Sequence, residues 1–283
     1  MVYAAVLGYG VVGSGVVEVI KKNRISIGKR AGKHIAVKKI LDIRDMPKSP
    51  DKELLTKNAG EIFGDNSISV VVETIGGIGA AFEFTKRAFM SGKHVVSSNK
   101  ELVATHGPEL LKLAKDNGVN YLFEASVGGG IPIIRPLNQC LAANEIDGIF
   151  GILNGTTNFI LTKMKRNGQS FDEALKIAQQ SGYAEADPTA DIEGYDACRK
   201  IAILSSIAYG EFVDYRKIHA EGITGITLRD MEYADKMNSV IKLIALSKRI
   251  GKKVFARVSP AIISKTNALA NVENEFNAIE VKG

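Results

Sequence analysis

Between Gly182 and Lys200 the chain sets five carboxylates, Glu185, Asp187, Asp191, Glu193 and Asp196, in an irregular stretch that runs into a lysine-bearing segment. A loop of acids suits a small cationic substrate. The spacing predicts a helix over 195–209, on which Asp196 and Lys200 stand four residues apart and therefore on one face. A carboxylate and an ammonium held in that way can act on one atom. Tyr183, Pro188 and the apolar run 201–204 argue for an ordered, partly buried loop. In a merely solvated loop the same pair would be an i,i+4 salt bridge worth about a few tenths of a kcal/mol.

A second set of residues has the chemistry of phosphate binding. An apolar run over 3–7 meets Gly8-Tyr9-Gly10-Val11-Val12-Gly13-Ser14-Gly15, and an apolar, helix-like segment follows over 16–22. In a strand, glycine turn and helix, Gly8 permits the tight turn, Gly10 admits a pyrophosphate to the backbone and Gly13 allows close packing of helix on strand. The helix N-terminus then faces the anion. Where the next strand ends, Leu41-Asp42-Ile43-Arg44-Asp45 offers an acid for a ribose 2′-hydroxyl and an arginine for a 2′-phosphate. Arg44, with Lys48, Lys52 and Lys57 nearby in sequence, tips the expectation to NADP, and Asp42 keeps NAD open. Lys100 directly follows an apolar strand over 94–98, at the carboxyl edge where open α/β sheets bind ligands. From there a lysine reaches both a nicotinamide and a substrate.

These residues need a scaffold, and the order of elements supplies one. Strand-like runs over 35–43, 70–74, 94–98 and 121–124 alternate with helical segments over 80–90 and 108–117, which Gly92 and Gly118 terminate. Such alternation predicts a parallel sheet with helices on both faces, over about the first 125 residues. Beyond it the pattern changes. A glycine-rich turn over 125–134 leads into a predicted helix, and a β-like run spans 146–153. Helices are expected over 158–166 and after the capping box Ser170-Phe171-Asp172-Glu173, then a long helix over 231–249 and a strand over 253–258. Two domains follow, residues 1–130 and 131–283, the second a mixed α/β substrate domain.

Composition narrows the class. A chain of 283 residues, 45% hydrophobic and 24% charged, can bury sizeable cores, and two cysteines, Cys140 and Cys198, make neither a disulfide framework nor a zinc-ligand spacing. The N-terminus lacks the basic start of a signal peptide, and no uncharged run is long enough to span a bilayer, so a cytoplasmic protein without a membrane partner is expected. The net charge of +6 gathers early, in residues such as Lys21, Lys22, Arg24, Lys29 and Arg30. No aromatic platform or groove-reading motif accompanies it, so nucleic acid is not an expected partner.

With these residues assembled, the chain resembles the homoserine dehydrogenase family from Tyr3 to about Asn277. The resemblance rests on the glycine motif 8–15, Ser98-Asn99-Lys100, the run 123–134 (FEASVGGGIPII), Asn154-Gly155-Thr156-Thr157-Asn158, and 182–191 (GYAEADPTAD) continuing to Arg199-Lys200. It implies an N-terminal Rossmann-like dinucleotide-binding domain joined to a mixed α/β catalytic and dimerisation domain, and a homodimer. It also implies reversible hydride transfer between NAD(P)H and L-aspartate 4-semialdehyde, giving L-homoserine, on the route to threonine, methionine and isoleucine. Carried over residue by residue, Lys200 is the general acid and base, Lys100 holds substrate and nicotinamide together, and Asp196 lies near the reacting group. Glu185 binds the substrate's ammonium, with Asp191 a further candidate, and Gly155, Thr156 and Tyr183 line the pocket. Tyr9, Val11, Val12, Thr74, Ser98, Lys100, Gly182 and Glu185 match cofactor contacts beside Gly8, Gly10, Gly13 and Arg44. A structural sodium ion is implied at Glu124, Val127, Gly129 and Ile131. Members of the family continue with a Gly-Asp-Ala-Val-Gly segment that returns to the nucleotide domain. This chain ends at Gly283, which implies a piece of a longer protein or a cofactor site without that cover. Two alternatives stand beside this reading: a dinucleotide-binding module without turnover, and a nicotinamide enzyme acting on a different amino alcohol or semialdehyde.

Overall fold

The computed structural model describes all 283 residues and divides into two compact units, Met1–Ser126 and Val127–Gly283. The first unit runs β1 (Val2–Leu7), α1 (Val11–Lys22), α2 (Arg24–Ala31), β2 (Ile35–Leu41), β3 (Leu55–Thr56), α3 (Gly60–Phe63), β4 (Ile68–Glu73), α4 (Gly79–Met90), β5 (His94–Ser97), α5 (Lys100–Asp116) and β6 (Tyr121–Leu122). Its six strands lie in the order β3-β2-β1-β4-β5-β6, every pair parallel. That order reverses direction at β1, which is the doubly wound, Rossmann-like topology and the place where such sheets bind ligands.

One core of this unit gathers Val6, Val17 and Ile40, with Tyr9, Val16, Val37 and Val72 packed on it. Phe89, Leu102 and Leu110 are fully buried as well. The helix α1 comes very close to β1, because a Cβ on Gly13 would stand 1.9 Å from the Gly8 carbonyl oxygen. Only glycine fits there. Helix α5 starts eight residues before the predicted 108 and carries Pro108 in its interior. An internal proline costs about 3 kcal/mol. Burial of Leu102, Val103, Leu110 and Ala114 outweighs it, and the Asn99 side chain caps the start by accepting from Leu102 N–H at 3.0 Å.

The second unit contains β7 (Gly148–Ile152), α6 (Gly155–Asn167), α7 (Phe171–Gln180), α8 (Thr189–Ile192), α9 (Tyr195–Tyr209), β8 (His219–Ala220), α10 (Leu228–Lys236), β9 (Ser239–Ile250), β10 (Lys253–Ser264) and β11 (Ala278–Lys282). The sheet order is β11-β7-β9-β10-β8, antiparallel except where β10 meets β8. Ile152, Ile244 and Leu269 form a core within it. Helix α9 spans the predicted residues, and α7 opens with the complete capping box of Ser170 and Glu173.

Two expectations fail here. The helix expected after the glycine-rich turn is a five-residue π-helical turn, Pro136–Cys140. The long helix expected over 231–249 stops at Lys236, Asn238 takes a φ of +49°, and the rest is β9. Local helix-forming residues lose to a central strand position, with β7 and β10 bonded on either side. No helix is long and apolar enough to cross a membrane.

Candidate functional site

In the first unit, parallel register lines up the ends of four strands. Leu41 pairs with Leu7, Leu7 with Glu73, and Glu73 with Ser97. The residues that follow this row are Asp42, Gly8, Thr74 and Ser98, so residues far apart in sequence meet at one carboxyl edge. Thr74 ties the edge together, its hydroxyl donating to the carbonyls of Leu7 at 2.9 Å and Gly8 at 3.0 Å. Gly8 turns the chain with a φ of +92°.

The start of α1 is uncapped and open. No side chain caps it, Gly10 has open space where a Cβ would stand, and Val11 and Val12 are exposed although apolar, Val11 at 93%. Uncapped helical N–H groups with room for close approach suit a pyrophosphate. Tyr9 is anchored on both sides. Its N–H donates to the Asp42 carboxylate at 2.8 Å, and its hydroxyl donates to Asp51, which Lys21 also contacts.

Asp42 and Arg44, which pull the cofactor expectation in opposite directions, form a pair. The guanidinium donates to Asp42 through two nitrogens, at 2.9 and 2.8 Å, and holds that carboxyl well below the usual carboxylate range. Arg44 itself is 58% exposed. Two of its five N–H groups serve Asp42, which leaves donors for a phosphate. Lys100 is the first residue of α5, half-buried, next to the buried cap Asn99.

In the second unit two of the five acids, Asp191 and Asp196, belong to one hydrogen-bonded group. Lys200 Nζ stands 2.8 Å from Asp196 Oδ2 and donates to the Leu153 carbonyl at 2.7 Å. Both side chains are withdrawn from water, Lys200 at 14% and Asp196 at 3% exposed. Asn154 links Asp196 to Asp191, with Nδ2 donating 2.9 Å to the first and 2.7 Å to the second. Thr156 Oγ1 lies 2.6 Å from the Tyr183 carbonyl and 3.2 Å from Asp191 Oδ2. Gly155 starts α6 where a Cβ would meet the Glu275 carbonyl oxygen at 2.6 Å. The charge of Glu275 raises the Tyr183 phenol above its ordinary pKa.

The structure therefore joins Asp191, Asp196, Thr156, Tyr183 and Lys200 in one network. Gly182, at a φ of +77°, and Glu185 lie on exposed chain outside it; Glu185 is engaged only through its carbonyl, which accepts from Gln179. Cys198 is buried in α9, and burial pushes its thiol up to about 11, so it is no nucleophile. Of the four residues implied for a cation, Glu124 belongs to the first unit and Val127, Gly129 and Ile131 to the second. A carboxylate with main-chain carbonyls is a donor set for a hard cation. No group of three or more His, Cys, Asp or Glu side chains could hold a metal elsewhere. Sequence reasoning missed Glu275 and gave Asn154 no role, although Asn154 stands in the quoted motif 154–158 and is an N-cap residue type directly before Gly155-Thr156-Thr157.

A family model described as homoserine dehydrogenase matches residues 132–283, and one described as the homoserine dehydrogenase NAD binding domain matches residues 8–124. The chain is 42% identical over 281 residues to a homoserine dehydrogenase of Bacillus subtilis, covering 98% of this chain and 65% of that protein. A crystal structure of a homoserine dehydrogenase from Thiobacillus denitrificans aligns with a TM-score of 0.94 at 42% identity, over 100% of this chain and 66% of that one. A hyperthermophilic archaeal homoserine dehydrogenase in complex with NADPH aligns with a TM-score of 0.80 at 29% identity, over 99% of this chain and 87% of that one. The chain spans about 65% of the length of the curated relatives it matches.

Proposed function

This chain belongs to the homoserine dehydrogenase family, and from that premise we propose that it interconverts L-homoserine and L-aspartate 4-semialdehyde with a nicotinamide cofactor, NADP before NAD. The single observation that carries the reading is the Lys200–Asp196 pair, withdrawn from solvent and tied through Asn154 to Asp191. A bound nicotinamide supplies or accepts the hydride. Reduction of an aldehyde also requires a proton at oxygen, and Lys200 Nζ holds one between Asp196 and the Leu153 carbonyl. In the reverse direction the same nitrogen takes the hydroxyl proton. Its positive charge stabilises the alkoxide as it forms.

The remaining residues bind and orient. Asp191 and Glu185 receive the substrate's ammonium, Gly155, Thr156 and Tyr183 line its pocket, and Asp196 holds Lys200 in place. Lys100 at the start of α5 serves substrate and nicotinamide. Gly8, Tyr9, Gly10, Val11, Val12 and Gly13 take the pyrophosphate side of the cofactor, Thr74 and Ser98 its other edge and Arg44 a 2′-phosphate, and Gly182 and Glu185 are further cofactor contacts. Sodium would be held by Glu124 and the carbonyls of Val127, Gly129 and Ile131, as a structural brace. The homodimer implied by the family is a further part of this reading, supported by the exposed apolar Phe255 and Ile262 on β10.

The test is homoserine-dependent reduction of NADP⁺ and of NAD⁺ by protein of this sequence, with other amino alcohols as controls. Turnover of homoserine, faster with NADP⁺, is the expected result. Binding of NADPH without turnover, or preference for another amino alcohol, overturns the assignment.

A further inference from the structure

Asn154 does two jobs with one amide. Its Oδ1 accepts from Thr157 N–H at 2.9 Å and from the Thr157 hydroxyl at 3.0 Å, which caps the start of α6. That contact settles which way the amide faces, because an oxygen in the opposite position would confront two carboxylates with no proton between them. Nδ2 therefore points at the acids, with one N–H toward Asp191 Oδ1 at 2.7 Å and the other toward Asp196 Oδ2 at 2.9 Å. The side chain is buried, and both donors and the acceptor are engaged.

Two carboxylates within reach of a single nitrogen repel each other unless a donor stands between them. Asp191 belongs to α8 and Asp196 to the first turn of α9, so this donor also joins two helices. Serine, threonine or aspartate would cap α6 as well as asparagine does. None of them can cap the helix and also donate two N–H bonds. The double donation is thus what selects the amide.

We propose that Asn154 is a positioning residue: its amide clamps Asp191 to Asp196 and, through Asp196, sets where Lys200 Nζ stands. The clamp rests on the proposed dehydrogenase activity for its consequence in turnover, but not for its geometry. Asn154→Ser tests it, since a serine keeps the cap and removes both donors. The expected result is a fall in kcat with homoserine of roughly 100-fold, the cost of about an ångström of misplacement, with the Kd for NADPH within about twofold of the parent. Asn154→Ala should lose as much as Asn154→Ser; a residue that only caps α6 would instead be rescued by serine. A crystal structure of N154S should show the two carboxylates apart and Lys200 displaced from the Leu153 carbonyl. Should N154S fail to fold, Asn154→Thr keeps a capping hydroxyl without the two N–H donors, adds no charge beside the acids, and must show the same loss. Turnover of N154S within about threefold of the parent, or unchanged places for Asp191, Asp196 and Lys200 in its crystal structure, overturns the proposal. A parent protein inactive on homoserine would defeat the function instead, and the crystal comparison would still decide the clamp.

Discussion

Lys200 sits between acceptors of different character, the Asp196 carboxylate and the Leu153 carbonyl, and neither lies on open surface. A truncation there removes the proposed proton carrier and the charge together. Lys200→Ala should lower kcat by roughly 10²- to 10⁴-fold, the span of a general acid, with little change in the KM for the cofactor; a loss smaller than about threefold would refute the role. Arg44 makes a separate prediction. Its guanidinium neutralises Asp42, the acid that would otherwise repel a 2′-phosphate, and keeps donors in reserve. Arg44→Ala should therefore cut the preference for NADPH over NADH by about tenfold or more, the worth of one hydrogen bond to a charged group, in paired titrations of the two cofactors. An unchanged ratio would remove the support for NADP. At this scale the sequence showed the Asp196–Lys200 pair, because four residues on a helix are a local relation. It could not show Asn154 joined to Asp191 and Asp196, 37 and 42 residues away, since only the fold brings α6, α8 and α9 together.

Elements were legible where local signals agreed with the tertiary outcome. The glycine turn before α1, the box at Ser170 and the glycine after α4, at a φ of +69°, each marks a helix end in the chain itself. β9 was not legible, because its Leu, Ala, Lys and Arg residues favour helix and its partners lie elsewhere in the sequence. The same strand buries Lys242, whose Nζ donates to Asn158 Oδ1 at 2.9 Å and to the Val272 carbonyl. Burial pushes this ammonium down to about 8, with Glu273 opposing and Lys165 and Arg166 adding to the shift. The sign follows from linkage. Between a folded pKa of about 8 and the usual 10.5 the unfolded chain binds the proton that the folded chain has released, so stability rises with pH across that window. Below it the burial penalty is fully present. Lys242→Met removes the titration while leaving a constant packing difference. Urea melts at about pH 7 and about pH 10 should then show the parent gaining on the variant by up to about 3 kcal/mol; a gap that does not change with pH would contradict the burial argument.

For the whole molecule, the relevant fact is two compact units with separate cores, Val6, Val17 and Ile40 in one and Ile152, Ile244 and Leu269 in the other. Strand and helix alternation announced the first unit, since every strand of a parallel sheet needs a crossover that leaves its own mark in the sequence. The second gave no such rhythm: its sheet joins β7 to β9 across some ninety residues and closes with β11 at its edge. Division into units also has a thermodynamic consequence. The proposed cofactor residues of the glycine turn, Thr74, Ser98 and Lys100 all belong to Met1–Ser126. A ligand stabilises whatever must stay folded to bind it, by about 2.7 kcal/mol at a hundred times its Kd. NADPH at that level should slow amide exchange in β1 and β4 by up to about 100-fold where exchange requires unfolding of the first unit. The amides of β9 and β10 should respond less, and L-homoserine added with NADP⁺ should extend protection to α8 and α9 around Asp191 and Asp196. Exchange followed by mass spectrometry resolves these segments. If NADPH alone protected β9 and β10 as strongly as β1 and β4, a pyrophosphate at the start of α1 with contacts in the second unit only at Gly182 and Glu185 would not account for it.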